Sequence, residues 1–134
     1  MKTPEFVADA SALAAIAFGE PGADNARTYL KRHGCVMHEV NVSELCFTLP
    51  RKRPDDFFDP EMVRFWLRRM DINMVDGFSA DLGRVVASIR LRNQALNLGD
   101  GVAVAMAIQM DIPLLTADKA FAKSSPLIKV ELIR

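Results

Sequence analysis

Phe6-Val7-Ala8-Asp9-Ala10-Ser11-Ala12-Leu13 is the stretch whose reading decides the fold. The apolar run Phe6 to Asp9, with Pro4 before it, reads as a buried strand, and the small residues from Ser11 to Phe18 read as a short helix. Asp9 stands where the strand hands over to the helix. In an open α/β sheet, the carboxyl ends of the strands are where ligands and catalytic groups collect. Three later acids, Glu44, Asp100 and Asp118, lie in stretches that can reach the same rim.

Outward from that stretch, the chain alternates strands with helices. Gly19-Glu20-Pro21-Gly22 is a breaker. A helix follows with Ala23, Ala26, Leu30 and His33 on one stripe, and Gly34 is expected to end it in the left-handed conformation. Cys35 to Val40 reads as the second strand. Asn41 is expected to cap a helix whose apolar stripe is Val42, Leu45, Cys46 and Leu49, with Glu44 off that stripe. Pro50 to Asp56 reads as a loop. Asp59-Pro60-Glu61 is a strong helix start, with Met62, Phe65, Trp66 and Met70 expected on the buried face. Ile72 to Val75 is a short strand, and Ser79 caps a helix carrying Leu82, Val85, Val86 and Ile89.

Gly99-Asp100 opens a helix to about Met110 that is apolar on nearly all sides, which implies burial. Pro113 to Thr116 is a strand followed directly by Asp118, which starts a short helix to Lys123. Ile128, Val130 and Leu132 alternate with charged residues, as in a half-exposed last strand. This order implies an α/β fold with a mostly parallel sheet and helices on both faces.

The 134 residues suit a single domain, 1–134, and the 17 basic and 17 acidic side chains cancel, which excludes binding of polyanions through bulk charge. Cys35 and Cys46 form no CxxC pair and are expected to be buried free thiols. The N-terminus lacks the charged and apolar regions of a secretory leader, and Val102 to Met110 is too short to span a bilayer. A cytoplasmic protein is expected, with no membrane partner.

Four carboxylates on one rim would repel, and some would keep a proton without a counter-ion. Mg²⁺ or Mn²⁺ resolves that conflict with oxygen ligands, activates water and stabilises charge on a phosphate. Each acid also has a local explanation: Asp9, Asp100 and Asp118 could cap helices, and Glu44 could be solvated in a first turn. No Ser-His-Asp set, P-loop or GxGxxG appears.

Four segments together resemble the PIN-domain family, and within it the VapC-type toxin ribonucleases of toxin–antitoxin pairs. They are FVADASALAAIAFGEPGADNA (6–26), NVSELCFTL (41–49), MVDGFSADLGRVVASIRLRNQA (74–95) and LNLGDGVAVAMAIQMDIPLLTADKAFAK (96–123). The resemblance implies a three-layer α/β/α fold with a five-stranded parallel sheet and Mg²⁺- or Mn²⁺-dependent endoribonuclease activity. It implies Asp9, Glu44, Asp100 and Asp118 as catalytic and metal-binding acids, with Ser11 and Thr116 as hydroxyl residues near the site. It further implies homodimers, an RNA substrate (transfer RNA among the possibilities) and a cognate antitoxin whose C-terminal segment lies across the active-site groove. Two positions depart from the family pattern: Gly101 stands where alanine is usual, and Ala117 where a basic residue is common.

RNA needs phosphate contacts. Arg51, Lys52 and Arg53 follow the Glu44 helix and are the first candidates, with Arg64, Arg68, Arg69, Lys119 and Lys123 behind them. The alternative to an enzyme is a catalytically silent PIN-like module that binds RNA or a partner.

Overall fold

The computed structural model describes residues 2–56, 58–124 and 128–134. Its elements are β1 (Pro4–Ala8), α1 (Ala10–Phe18), α2 (Ala23–Arg32), β2 (Gly34–His38), α3 (Glu39–Lys52), α4 (Pro60–Arg69), β3 (Ile72–Val75), α5 (Ala80–Arg92), α6 (Leu98–Met110), β4 (Leu114–Thr116) and β5 (Val130–Leu132), with a 3-10 turn over Lys119–Ser124. The five strands form one sheet in the order β3-β2-β1-β4-β5, every pair parallel. The α/β class and the helix-covered parallel sheet are therefore as the sequence implies.

Side chains alternate across the pleat and divide the core in two. Phe6, Ala8, Cys35, Met37, Ile72 and Leu115 face α1 to α4. Val7, Val36 and Leu114 face α5 and α6. The chain order runs outward from β1 to β2 and β3, then returns to the other side of β1 as β4 and β5. The reversal falls between β1 and β4, and the crevice beyond the carboxyl ends of those two strands is the place where such a sheet takes a ligand. Among the described residues, no helix is long and apolar enough to cross a membrane.

Several expectations are corrected. β2 stops at His38, whose Nδ1 accepts from Val40 N at 3.0 Å, so α3 begins at Glu39 and Asn41 lies inside the helix rather than capping it. Histidine is not among the usual capping residues, so this start carries no clear local signal. α3 also continues through Pro50 to Lys52. The missing proline N–H removes one bond in the last turn and does not stop the helix there. Gly34 does not close α2 in the left-handed region. It begins β2 where a Cβ would lie 2.0 Å from the Thr3 carbonyl oxygen, and His33 pairs with Glu5 at the surface.

α4 presents a different face from the one expected. Val63 and Leu67 are buried, with Trp66 and Met70 partly so, while Met62 and Phe65 are 51% and 58% exposed. Apolar residues occupy more than one stripe of this helix, and packing selects among them. In β5, Leu132 faces outward and Ile133, just beyond the strand, is buried. Cys35 and Cys46 are free, but only Cys35 is fully buried.

Candidate active site

Asp9 follows β1 directly and its carboxylate sits at the crevice between β1 and β4. It caps α1 by accepting from Ala12 N at 3.1 Å, so the local explanation for this acid holds and does not exhaust its contacts. Ser11 Oγ donates to both carboxylate oxygens, at 2.8 and 3.0 Å, and Thr116 Oγ1 donates to Oδ2 at 2.6 Å. The same two hydroxyls then accept from the backbone after β4: Ala117 N bonds Ser11 Oγ, and Asp118 N bonds Thr116 Oγ1, both at 3.0 Å. Ser11 and Thr116 thus stitch the end of β1 to the turn carrying Asp118.

Asp100 lies in the first turn of α6, but Asn97 rather than Asp100 is the cap. The two form a reciprocal capping box, with Asp100 Oδ2 accepting from Asn97 N at 3.0 Å. Asp118 Oδ1 accepts from Ala120 N at 2.9 Å. Glu44 is not freely solvated: it is half-buried against α6 and accepts from Asn41 Nδ2 at 2.8 Å.

All four acids line one cavity of about 200 Å³, with Ser11, Thr48, Glu20, Lys52 and Arg134 among the other walls. Burial, partly offset by the bonds from Thr116, Ala12 and Ser11, pushes the Asp9 carboxyl up to about 6. Burial also raises Glu44 and Asp100, and each feels a neighbouring acid: Asp100 raises Glu44, and Asp118 raises Asp100. The cavity therefore gathers four carboxylates whose charge Lys52 and Arg134 on its wall, and Arg90 acting on Asp100, offset only in part.

Among the described residues, no three His, Cys, Asp or Glu side chains gather closely enough to grip an ion as a tight cluster. The donors still fit a hard divalent cation. They are all carboxylate oxygens, and Mg²⁺ keeps several waters, binding through one or two carboxylates.

The basic candidates separate. Lys52 lines the cavity, with Nζ 3.5 Å from Glu20. Arg51 lies over Phe47, and Arg53 packs on Phe18 and donates to its carbonyl, so neither lines the cavity. Arg64 is tied to Glu39 by two bonds of 2.6 and 2.9 Å. The Lys123 side chain lies outside the described residues. Three participants were not read from the sequence. Asn41 sits three residues before Glu44, a spacing that puts both on one helix face and could have revealed it. Gly99 is Asp100's neighbour. Arg134, whose Nε donates to Ala117 O at 3.3 Å, carries no local signal.

A PIN domain family model matches residues 6–125. Among curated proteins, none matches the sequence. Solved structures share the fold. A toxin–antitoxin complex from Klebsiella pneumoniae is 20% identical over 96% of this chain and 97% of its own, with a TM-score of 0.71. The sarcin–ricin loop cleaving toxin VapC20 of Mycobacterium tuberculosis is 14% identical over 90% and 95%, with a TM-score of 0.72. VapBC2 of Rickettsia felis, bound to a promoter DNA fragment, is 16% identical over 95% and 97%, with a TM-score of 0.65. With its sheet order, its crevice of acids and a family match over nearly its whole length, this chain belongs to the PIN domain family.

Proposed function

We propose that the protein is a divalent-metal-dependent endoribonuclease acting as the toxin of a toxin–antitoxin pair. The observation that carries the reading is the convergence of Asp9, Glu44, Asp100 and Asp118 on one cavity at the point where the strand order reverses. These four are the residues that would hold Mg²⁺ or Mn²⁺. When bound, such an ion acidifies a water and stabilises charge on a phosphate.

The rest is work for the chain's own residues. Ser11 and Thr116 hold the Asp9 carboxylate in one orientation. Asn41 holds Glu44, which together with Asp118 is suited to orient the attacking water. Lys52 and Arg134, on the cavity wall, can meet backbone phosphates of the substrate. Water adds across the P–O3′ bond, leaving 3′-hydroxyl and 5′-phosphate ends. Transfer RNA is one substrate within this class.

The partner half of the reading is supported by the toxin–antitoxin complexes among the structural neighbours. A separate apolar groove of about 840 Å³ runs between α1, α2 and α4, with Ile16, Leu30, Val63, Trp66 and Met70 in its walls and Lys2, Arg27, Lys31 and Arg69 beside them. That pattern suits an amphipathic antitoxin segment with acidic residues flanking its apolar stripe. The reading includes a homodimer, which a solution mass measurement tests.

The decisive assay incubates purified protein with total RNA in Mg²⁺, in Mn²⁺ and in chelator, with sequencing of the RNA ends. Cleavage in metal, lost in chelator and in Asp9→Asn, is expected. Cleavage indifferent to chelator, or absent at every metal concentration, overturns the reading and favours the silent binding module.

A further inference from the structure

We infer that Asn41 and Gly99 form a socket that sets the position of the Glu44 carboxylate, making Asn41 a positioning residue of the acid cavity; the inference rests on reading Glu44 as a site acid. Asn41 lies one turn before Glu44 on α3 and is 1% exposed, within the contact between α3 and α6. Its Nδ2 donates twice, to Glu44 Oε1 at 2.8 Å and to the Gly99 carbonyl at 3.0 Å. Both partners are oxygen acceptors, so only the NH₂ end of the amide can face them.

That orientation leaves Asn41 Oδ1 buried without a hydrogen-bond partner. Buried acceptors are almost always satisfied, and an orphan calls for an explanation. A leucine, with the same branched heavy-atom skeleton though a larger volume, would remove the orphan, at the loss of the grip on Glu44. The amide is therefore a costly choice for packing α3 against α6 and a useful one for holding a carboxylate.

Gly99 supplies the other wall. A Cβ at this position would fall 2.2 Å from Glu44 Oε1, 2.3 Å from Cδ and 2.5 Å from Oε2. The Glu44 carboxyl group occupies the space that any side chain at position 99 would take. Gly99 sits within α6 and has no left-handed backbone angle, so alanine would otherwise be the better helix former. Glutamate has a long, rotatable side chain, and ordering it in advance removes an entropic cost from any step that uses it. The socket does this while leaving the carboxylate on the cavity wall beside Asp100.

The test compares Asn41→Leu, Gly99→Ala and Glu44→Gln, alone and as the Asn41→Leu/Glu44→Gln and Gly99→Ala/Glu44→Gln pairs. The first readout is kcat and KM for RNA cleavage. The second is the side-chain carboxyl ¹³C resonance of Glu44 in metal-free protein without RNA. Asn41→Leu and Gly99→Ala are each expected to lower kcat about ten- to hundredfold with little change in KM, and to shift or broaden the Glu44 signal. In the Glu44→Gln background each should cost less than about twofold more, because effects routed through one residue do not add. An unmoved Glu44 signal in both variants, or an undiminished kcat loss in the Glu44→Gln background, overturns the inference in favour of a plain brace between α3 and α6. If Asn41→Leu does not fold, Gly99→Ala decides, since it removes no polar group. If the wild type cleaves no RNA, the nuclease reading fails, and the carboxyl resonance still reports whether the socket positions Glu44.

Discussion

Replacing Asp9 by Asn should make the metal-free protein more stable near neutral pH while abolishing its activity. Asp9 is 4% exposed, and burial pushes its carboxyl from the ordinary 3.8 to about 6. A group whose folded-state pKa is raised favours the folded state in its protonated form. Its stabilising contribution is fully present below about pH 4 and is lost as pH rises through about 6. The whole loss is about 3 kcal/mol at 1.36 kcal/mol per pKa unit, and about 2 kcal/mol of it falls between pH 4 and pH 7.5, because the unfolded carboxyl is already largely ionised at pH 4. Asparagine stays neutral and escapes it.

The neutral amide can still accept from Ala12 N and from one hydroxyl, so the variant keeps part of the network that Ser11 and Thr116 make. The absolute offset between the two proteins includes those imperfect bonds, but the pH dependence of the difference does not. Urea unfolding of both proteins in chelator, at half-unit steps from pH 4 to 7.5, measures it. The stability of Asp9→Asn relative to wild type should climb by about 2 kcal/mol across that range. Addition of Mn²⁺ at pH 7.5 should restore the wild type and leave the variant unchanged. A difference that stays flat with pH, or that moves in favour of the wild type as pH rises, refutes the account of Asp9 as a buried charge without a protein counter-ion.

Three further outcomes are expected. Thr116→Val removes the bond to Asp9 and the acceptor for Asp118 N, and should cost about 1–3 kcal/mol in urea unfolding and lower the cleavage rate at least tenfold. Lys52→Ala, in an Asp9→Asn background that binds without cutting, should reduce the salt dependence of RNA affinity by about one phosphate contact, whereas Arg51→Ala should leave it unchanged. Met62→Asp changes an exposed side chain on the apolar groove, so thermal unfolding should move little while neutralisation by a co-expressed antitoxin is lost.

Much of the architecture is legible in local pattern. The alternation of short apolar runs with helical stripes determines the order of elements, the parallel sheet and its helix-covered faces, because burial on both faces leaves a signature in each strand. Asp9 and Asp118 are readable as acids at strand ends, and the nearly charge-free run of α6 as a buried helix. These features depend on neighbours in sequence, so one chain suffices to see them.

Glu44 shows where that reading stops. Its position on α3 says only that it leaves the apolar stripe, and two opposite outcomes, solvation or contact with α6, share that pattern. The contact is decided by the rotation of α3 about its own axis, by Asn41 beneath it and by the missing side chain at Gly99, 58 residues beyond Asn41 in the chain. The same holds for α4, where Val63 and Leu67 turn inward and Met62 and Phe65 outward. It holds again for the basic run, where Lys52 alone of three neighbours reaches the cavity. Periodicity reports which residues are apolar; only packing between distant elements chooses which face turns inward and which carboxylates meet. The sequence by itself determined the sheet, its helices and the rim on which acids collect, and the tertiary structure decided how those acids are held, because hydrogen bonds between α3, α6 and the ends of β1 and β4 join residues that no local pattern connects.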